Sequence, residues 1–156
     1  MWNLNTQARL QAWFEFRKSL TNIDFLDAVH KVNQLWHSAP ISKNIYTADS
    51  PKAWPGPWQL VVDNFYDNIA RALGMLYTLY YSKHKCPIEI HCYRSKEESW
   101  EAALVWIDNG KYVLNWDLEV QVNTKLQLGK ATLIQRQTIE DLLTNESNSS
   151  YKKKWP

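Results

Sequence analysis

The chain has 156 residues, of which 45% are hydrophobic and 22% charged, with a net charge of +2. This describes one globular domain that can bury a core without metal or disulfide staples, and it excludes a disordered chain. The charge carries no strong nucleic-acid signal, and nine tryptophans against four scattered glycines exclude a glycine-rich phosphate loop.

The N-terminal part reads as a pair of helices. From Asn5 to Leu20, Leu10, Trp13, Phe14 and Phe16 form an apolar face with Arg9, Glu15, Arg17 and Lys18 outside it. Thr21-Asn22-Ile23-Asp24 has nearly the form of a capping box, and Ile23, Leu26, Val29, Val32 and Trp36 follow at helical spacing.

From Ser38 to Pro57 the periodicity stops, because Pro40, Pro51, Pro55 and Pro57 forbid regular structure. A loop of this length inside a small domain is either functional or pinned to a surface. Its end, Trp54-Pro55-Gly56-Pro57-Trp58, sets two large rings on a stiff backbone. Those rings either pack the loop as a lid or offer a platform to a partner.

Pro57 suits the first turn of a helix. Val62, Phe65, Ile69, Ala72, Leu76 and Leu79 step by three and four, which predicts one long central helix from Pro57 to about Lys83. After Gly74 the segment has no charge, so that half is expected to be buried all round, with another group approaching closely at the glycine.

The remainder reads mostly as strand. Ile88, Ile90 and Cys92 alternate with Glu89, His91 and Tyr93, and two strands flank the turn Asp108-Asn109-Gly110. Leu104 to Ile107 is apolar on both faces, which places that strand centrally. Val120 and Val122 mark another strand, Ala131 to Ile134 follows a turn, and Gln137 to Leu143 suggests a closing helix. The fold class is therefore α+β, with residues 1–144 as a single domain and a helix-plus-hairpin core at 57–117. The polar segment 145–156 is expected to be disordered.

Candidate chemistry is sparse. His84, Cys86, His91 and Cys92 include zinc-ligand types, but strand alternation sends His91 away from the two cysteines, so no metal and no cofactor are expected. Asp63 and Asp67, four apart, suggest a carboxylate pair on one helix face, and Asp67 with Arg71 suggests an exposed ion pair. A pocket near Asp67, His91 and Asp117 is the place for an enzymatic alternative. Partner contacts are expected at Trp54, Pro55, Pro57 and Trp58, and at the basic-aromatic tail Lys152, Lys153, Lys154 and Trp155.

Two resemblances follow from the residues. The order helix, strand, then the hairpin Trp100–Asp117 resembles the core of the transglutaminase-like (papain-like) cysteine hydrolases. Those carry a cysteine at the head of the central helix, a histidine early in the hairpin and an acid or amide at its end. Here Phe65 to Arg71 contains no cysteine, Ser99, Trp100 and Glu101 stand at the strand entrance, and only Asn115 or Asp117 matches the third place. The resemblance thus implies the fold without the Cys and His, and so no catalytic residues. Separately, Trp54–Leu60, Ala70–Leu79 and Gly110–Asn115 resemble small structural proteins of contractile-tailed bacteriophages. That second resemblance implies a non-catalytic virion component of the tail, baseplate or neck. Such a component would assemble in the bacterial cytoplasm and form oligomeric contacts with other virion proteins. The alternatives are a host-directed binding module or inhibitor, and a divergent transglutaminase-like hydrolase. No apolar run approaches a membrane span, and no leader pattern opens the chain, so neither membrane insertion nor standard secretion is expected.

Overall fold

A computed structural model describes residues 1–146. The helical pair is α1 (Thr6–Ser19) and α2 (Phe25–His37). Asn5 caps α1 by accepting from the Ala8 N–H at 3.0 Å. The second cap is Asp24 and not Thr21: its backbone is extended, and its carbonyl accepts the first helical bond, from Ala28 N.

The expected long helix is two helices. Α3 (Pro57–Asp63) ends at Asn64, whose backbone is left-handed at φ 57°, and α4 (Asn68–Tyr80) begins afresh behind the cap Asp67. Tertiary partners explain the break. Tyr66 leaves the helix to bridge Ile41 in parallel, and its carbonyl accepts from Ser42 N at 3.0 Å. Phe65, counted in the apolar stripe, is 58% exposed in this break. The long 38–57 loop is thereby pinned to the body of the protein.

Strands β1 (Ile88–Ser95), β2 (Trp100–Ile107), β3 (Tyr112–Leu114), β4 (Gln121–Val122) and β5 (Thr132–Thr138) form one antiparallel sheet in the order β4-β3-β2-β1-β5. The doubly apolar β2 is its central strand. Asp108, Asn109 and Gly110 all take positive φ in the β2–β3 turn, which only short polar residues and glycine tolerate readily. A final helix, α5 (Ile139–Glu146), follows β5.

The core lies between the helices and one face of the sheet. Ile88, Ile90 and Cys92 of β1 stand beside Ile107, Val105 and Ala103 of β2, all buried in the same cluster as α4. Thr78 of α4 sits at the centre. Its hydroxyl accepts from the indole N–H of Trp13 and of Trp36, both at 2.9 Å, and donates to the Gly74 carbonyl at 2.6 Å. Gly74 is the expected close approach: a Cβ there would overlap the Trp36 ring. Two arginines expected outside α1 are buried instead. Arg9 donates to the carbonyls of Val61, Val62 and Leu4, which satisfies the end of α3, and Arg17 stacks 4.1 Å from the Trp13 ring. Among the described residues no helix is long and apolar enough to cross a membrane.

Candidate functional site

The head of α4 is the most heavily organised polar point of the protein. Asp67 is 3% exposed, and its two carboxylate oxygens accept from three backbone N–H groups: Ala70 at 2.8 Å, Ile45 at 2.8 Å and Tyr46 at 2.7 Å. A carboxylate in this position caps the helix, complements its positive end and fastens the long loop against it. It has no lone pair aimed at a partner carboxylate. Asp63 lies across the helix break and accepts from Gln59. Arg71 donates to the carbonyls of His37 and Ala39 at 2.8 and 2.7 Å, and not to Asp67. Both readings of Asp67 from helical spacing therefore fail: residues 63 and 67 belong to different elements, and Arg71 is turned to carbonyls at and just beyond the end of α2.

Beyond β3, Asn115 enters the same point from the sheet side. Its φ is +67°, and its side-chain NH2 reaches the Asn68 side-chain oxygen at 2.9 Å, the Asn68 carbonyl at 3.0 Å and the Ala103 carbonyl at 2.8 Å. Behind it, Asn33 of α2 is fully buried. Its oxygen accepts from Asn115 N at 3.1 Å, while its NH2 donates to the carbonyls of Asp117 and Leu118 at 2.9 and 2.7 Å. A chain of three amides thus joins α2, the end of β3 and the first residue of α4. Asn33 and Asn68 carry no sequence signal beyond an asparagine inside an apolar helical pattern and an asparagine after a capping aspartate.

These elements border a cleft of about 240 Å³ lined by Asn44, Tyr46, Asn68, Cys92, Glu101 and Ala103, with Arg94 at its edge. Arg94 donates to Glu101 at 2.5 Å and pairs with Asp49 at 3.5 Å, so one guanidinium is shared by two carboxylates and the rim keeps an acidic excess. Cys92 is the thiol of the cleft. Burial, and secondarily the charges of Glu101 and Asp67, push it up to about 12, so it stays protonated and is not an activated nucleophile. Burial, reinforced by Asp63 and Asp67, also raises the Tyr46 phenol.

The remaining candidate residues lie elsewhere. Trp54 and Trp58 are buried core: Trp54 donates to the Thr47 carbonyl at 2.8 Å, and Trp58 packs edge-on against Trp13 and Tyr81. Pro55 and Pro57 are buried with them. The lid reading describes these rings, because their faces are spent on the interior and not offered outward. Lys152, Lys153, Lys154 and Trp155 lie outside the described residues. The proposed pocket of Asp67, His91 and Asp117 does not assemble. Asp67 is at the head of α4, His91 is on the opposite face of the sheet against Trp106, and Asp117 caps its own neighbour Leu118. His84 is turned to the Leu20 carbonyl at 2.8 Å.

No protein-family model matches the chain, and no curated protein matches its sequence. Solved structures do match. Calcium-bound LapG of Legionella pneumophila superposes with a TM-score of 0.68 at 15% identity, over 88% of this chain and 78% of that one. EGTA-treated LapG gives 0.62 at 18% identity, over 76% and 67% of the two chains. A third LapG structure from the same organism gives 0.63 at 16%, over 82% and 79%. The chain has the transglutaminase-like, papain-like fold. This supports the fold expected from residues 57–117 and overturns the bacteriophage reading. These neighbours are bacterial LapG proteins with no link to a virion, so the tail, baseplate or neck role and the virion location are withdrawn. The segments that suggested a phage protein are those that form the lid, α4 and the hairpin of this fold, so their texture reports architecture.

In this fold the head of α4 and the facing strands are where the resemblance puts thiol, imidazole and third partner. Here α4 opens Asn68-Ile69-Ala70, and the β2 residues nearest its head are Glu101 and Ala103. Of the two residues expected near the third place, Asn115 bonds to the first residue of α4, while Asp117 accepts from its own neighbour Leu118. One neighbour is calcium-bound, whereas among the described residues of this chain no three His, Cys, Asp or Glu side chains converge on a point.

Proposed function

We propose that this chain diverged from the transglutaminase-like hydrolases and keeps their cleft as a binding site for an extended polypeptide, which it holds without cleaving it through a thiolate. The observation that carries this reading is the bond set of Asn115. In a working cysteine hydrolase the third residue orients an imidazole, which in turn draws a proton from a thiol. Here the Asn115 amide is consumed by Asn68 and by the Ala103 carbonyl, and no imidazole is among its described hydrogen-bond partners. The cleft itself persists, with backbone from the pinned loop on one side, the β2 entrance on the other and an ion-paired rim. Such a surface suits an extended chain held through its own backbone amides, the mode in which extended peptides are usually bound.

The test is a nuclear magnetic resonance titration of the isotope-labelled protein with α-casein, an unfolded polypeptide. Saturable shifts are expected at Tyr46, Asn68 and Ala103, and Asn44→Trp, at an exposed residue of the cleft lining, should weaken them severalfold while circular dichroism stays unchanged. Absence of shifts, or shifts confined to another face, overturns the reading.

A further inference from the structure

We infer that the outer face of the sheet, away from the cleft, carries a binding site for a neutral oligosaccharide. Most of this face is closed: Ala102, Leu104 and Val113 are buried under Leu126 and Leu128 of the segment between β4 and β5. The part left open is a groove of about 490 Å³, roughly the volume of two sugar rings, floored by Trp106, His91 and Tyr93 and edged by Asn109 and Asn123.

The floor is built in advance. His91 stacks on the Trp106 indole at 5.3 Å with 30° between the rings. Its Nε2 lies 2.8 Å from Glu89, and its Nδ1 lies 3.2 Å from the Tyr93 hydroxyl. These two partners, one at each ring nitrogen, hold the imidazole in a single orientation. Arg136 closes the row, donating to both oxygens of Glu89 at 2.8 and 2.6 Å. The indole N–H of Trp106 is buried without an acceptor among the described residues, so packing against His91, Tyr93 and Gly110 sets the plane of that ring.

Charge and shape select the ligand. Glu89 and Arg136 are the charged residues lining the groove and neutralise each other, which offers neither an anion nor a cation a free counter-charge. What remains is an aromatic floor, which accepts the C–H face of a pyranose, and a rim of amides, each able to donate and accept. Hydroxyl-rich rings with one apolar face fit both. A purely apolar ligand would strand the amides of Asn109 and Asn123.

The experiment titrates the labelled protein with cellotriose, chitotriose and maltotriose, each to about 10 mM, a range that reveals millimolar affinity. At least one should move the Trp106 indole resonance together with Asn109 and Asn123, along a saturating curve. Asn123→Ala, outside the sheet core, should weaken that sugar severalfold, and Trp106→Ala at least about tenfold. Asn68→Ala, at the cleft, should leave sugar binding intact, so failure of the polypeptide reading does not touch this one. No saturable shift with any of the three sugars, or shifts confined to the cleft, overturns the inference.

Discussion

The side-chain nitrogen of Asn115 lies 2.9 Å from the side-chain oxygen of Asn68, and this bond fixes the end of β3 to the first residue of α4. The same nitrogen serves the Asn68 and Ala103 carbonyls, so one amide holds helix, central strand and hairpin end in register. Asn115→Ala removes the donor, leaves those acceptors short of a partner, and puts a Cβ-bearing residue without local compensation at positive φ. A loss of about 2–4 kcal/mol is expected in urea unfolding. Asn115→Asp should cost at least as much, because it turns a carboxylate toward three oxygens.

Thr78 and Gly74 test the core beneath the site. Thr78→Val keeps the shape but leaves two buried indole N–H groups without an acceptor, with an expected cost of about 2–4 kcal/mol. Gly74→Ala would normally favour a helix, yet here its methyl meets the Trp36 ring, so it should destabilise. The pair Gly74→Ala with Trp36→Phe, compared with the single variants, should show recovery if that contact is the cause.

Cys92 should behave as an inert thiol. With its pKa pushed to about 12 by burial, iodoacetamide at neutral pH should leave it unmodified in the folded protein and alkylate it in denaturant. Mass spectrometry of the intact chain, with digestion to locate the adduct, reads this directly. Rapid native labelling at residue 92 would contradict the buried, neutral assignment.

Glu89 gives a pH dependence. The hydrogen bonds from Arg136, and then from His91, hold its carboxyl at about 2, below the ordinary 4.5. A folded-state pKa below the unfolded one contributes stability that is present above the ordinary carboxylate range and lost as pH falls. The difference in urea midpoint between the wild type and Glu89→Gln should therefore be constant near neutrality and close between about pH 4.5 and 2. Salt should shrink it as well, because the pair is partly solvated.

Local chemistry was legible in the sequence, and tertiary competition was not. The helical pair, the Asp108-Asn109-Gly110 turn and the central place of β2 follow from periodicity and turn residues that act within a few positions. Residues 64–67 keep a helical apolar spacing, and only Ile41, Ser42, Ile45 and Tyr46, distant in sequence, draw Tyr66 and Asp67 out of the helix. Arg9 and Arg17 read as surface charges because their acceptors and rings come from elsewhere in the fold. Of the site, the order of elements could be read from residues 57–117, and the third place only as Asn115 or Asp117. Asn33 and Asn68 could not, since an amide announces itself only through partners. The tryptophans of the proline loop suggested a partner surface, but rings that large are more cheaply spent inside, where Trp54 and Trp58 are found.

The central claim is that the cleft holds a polypeptide without cutting it. The most direct measurement places a photo-reactive benzoylphenylalanine at Tyr46, irradiates the protein with α-casein, and reads the products by mass spectrometry. The account expects a covalent adduct from residue 46 and casein of unchanged mass, with or without iodoacetamide. Casein fragments that disappear after thiol alkylation, or no adduct from residue 46, would contradict it.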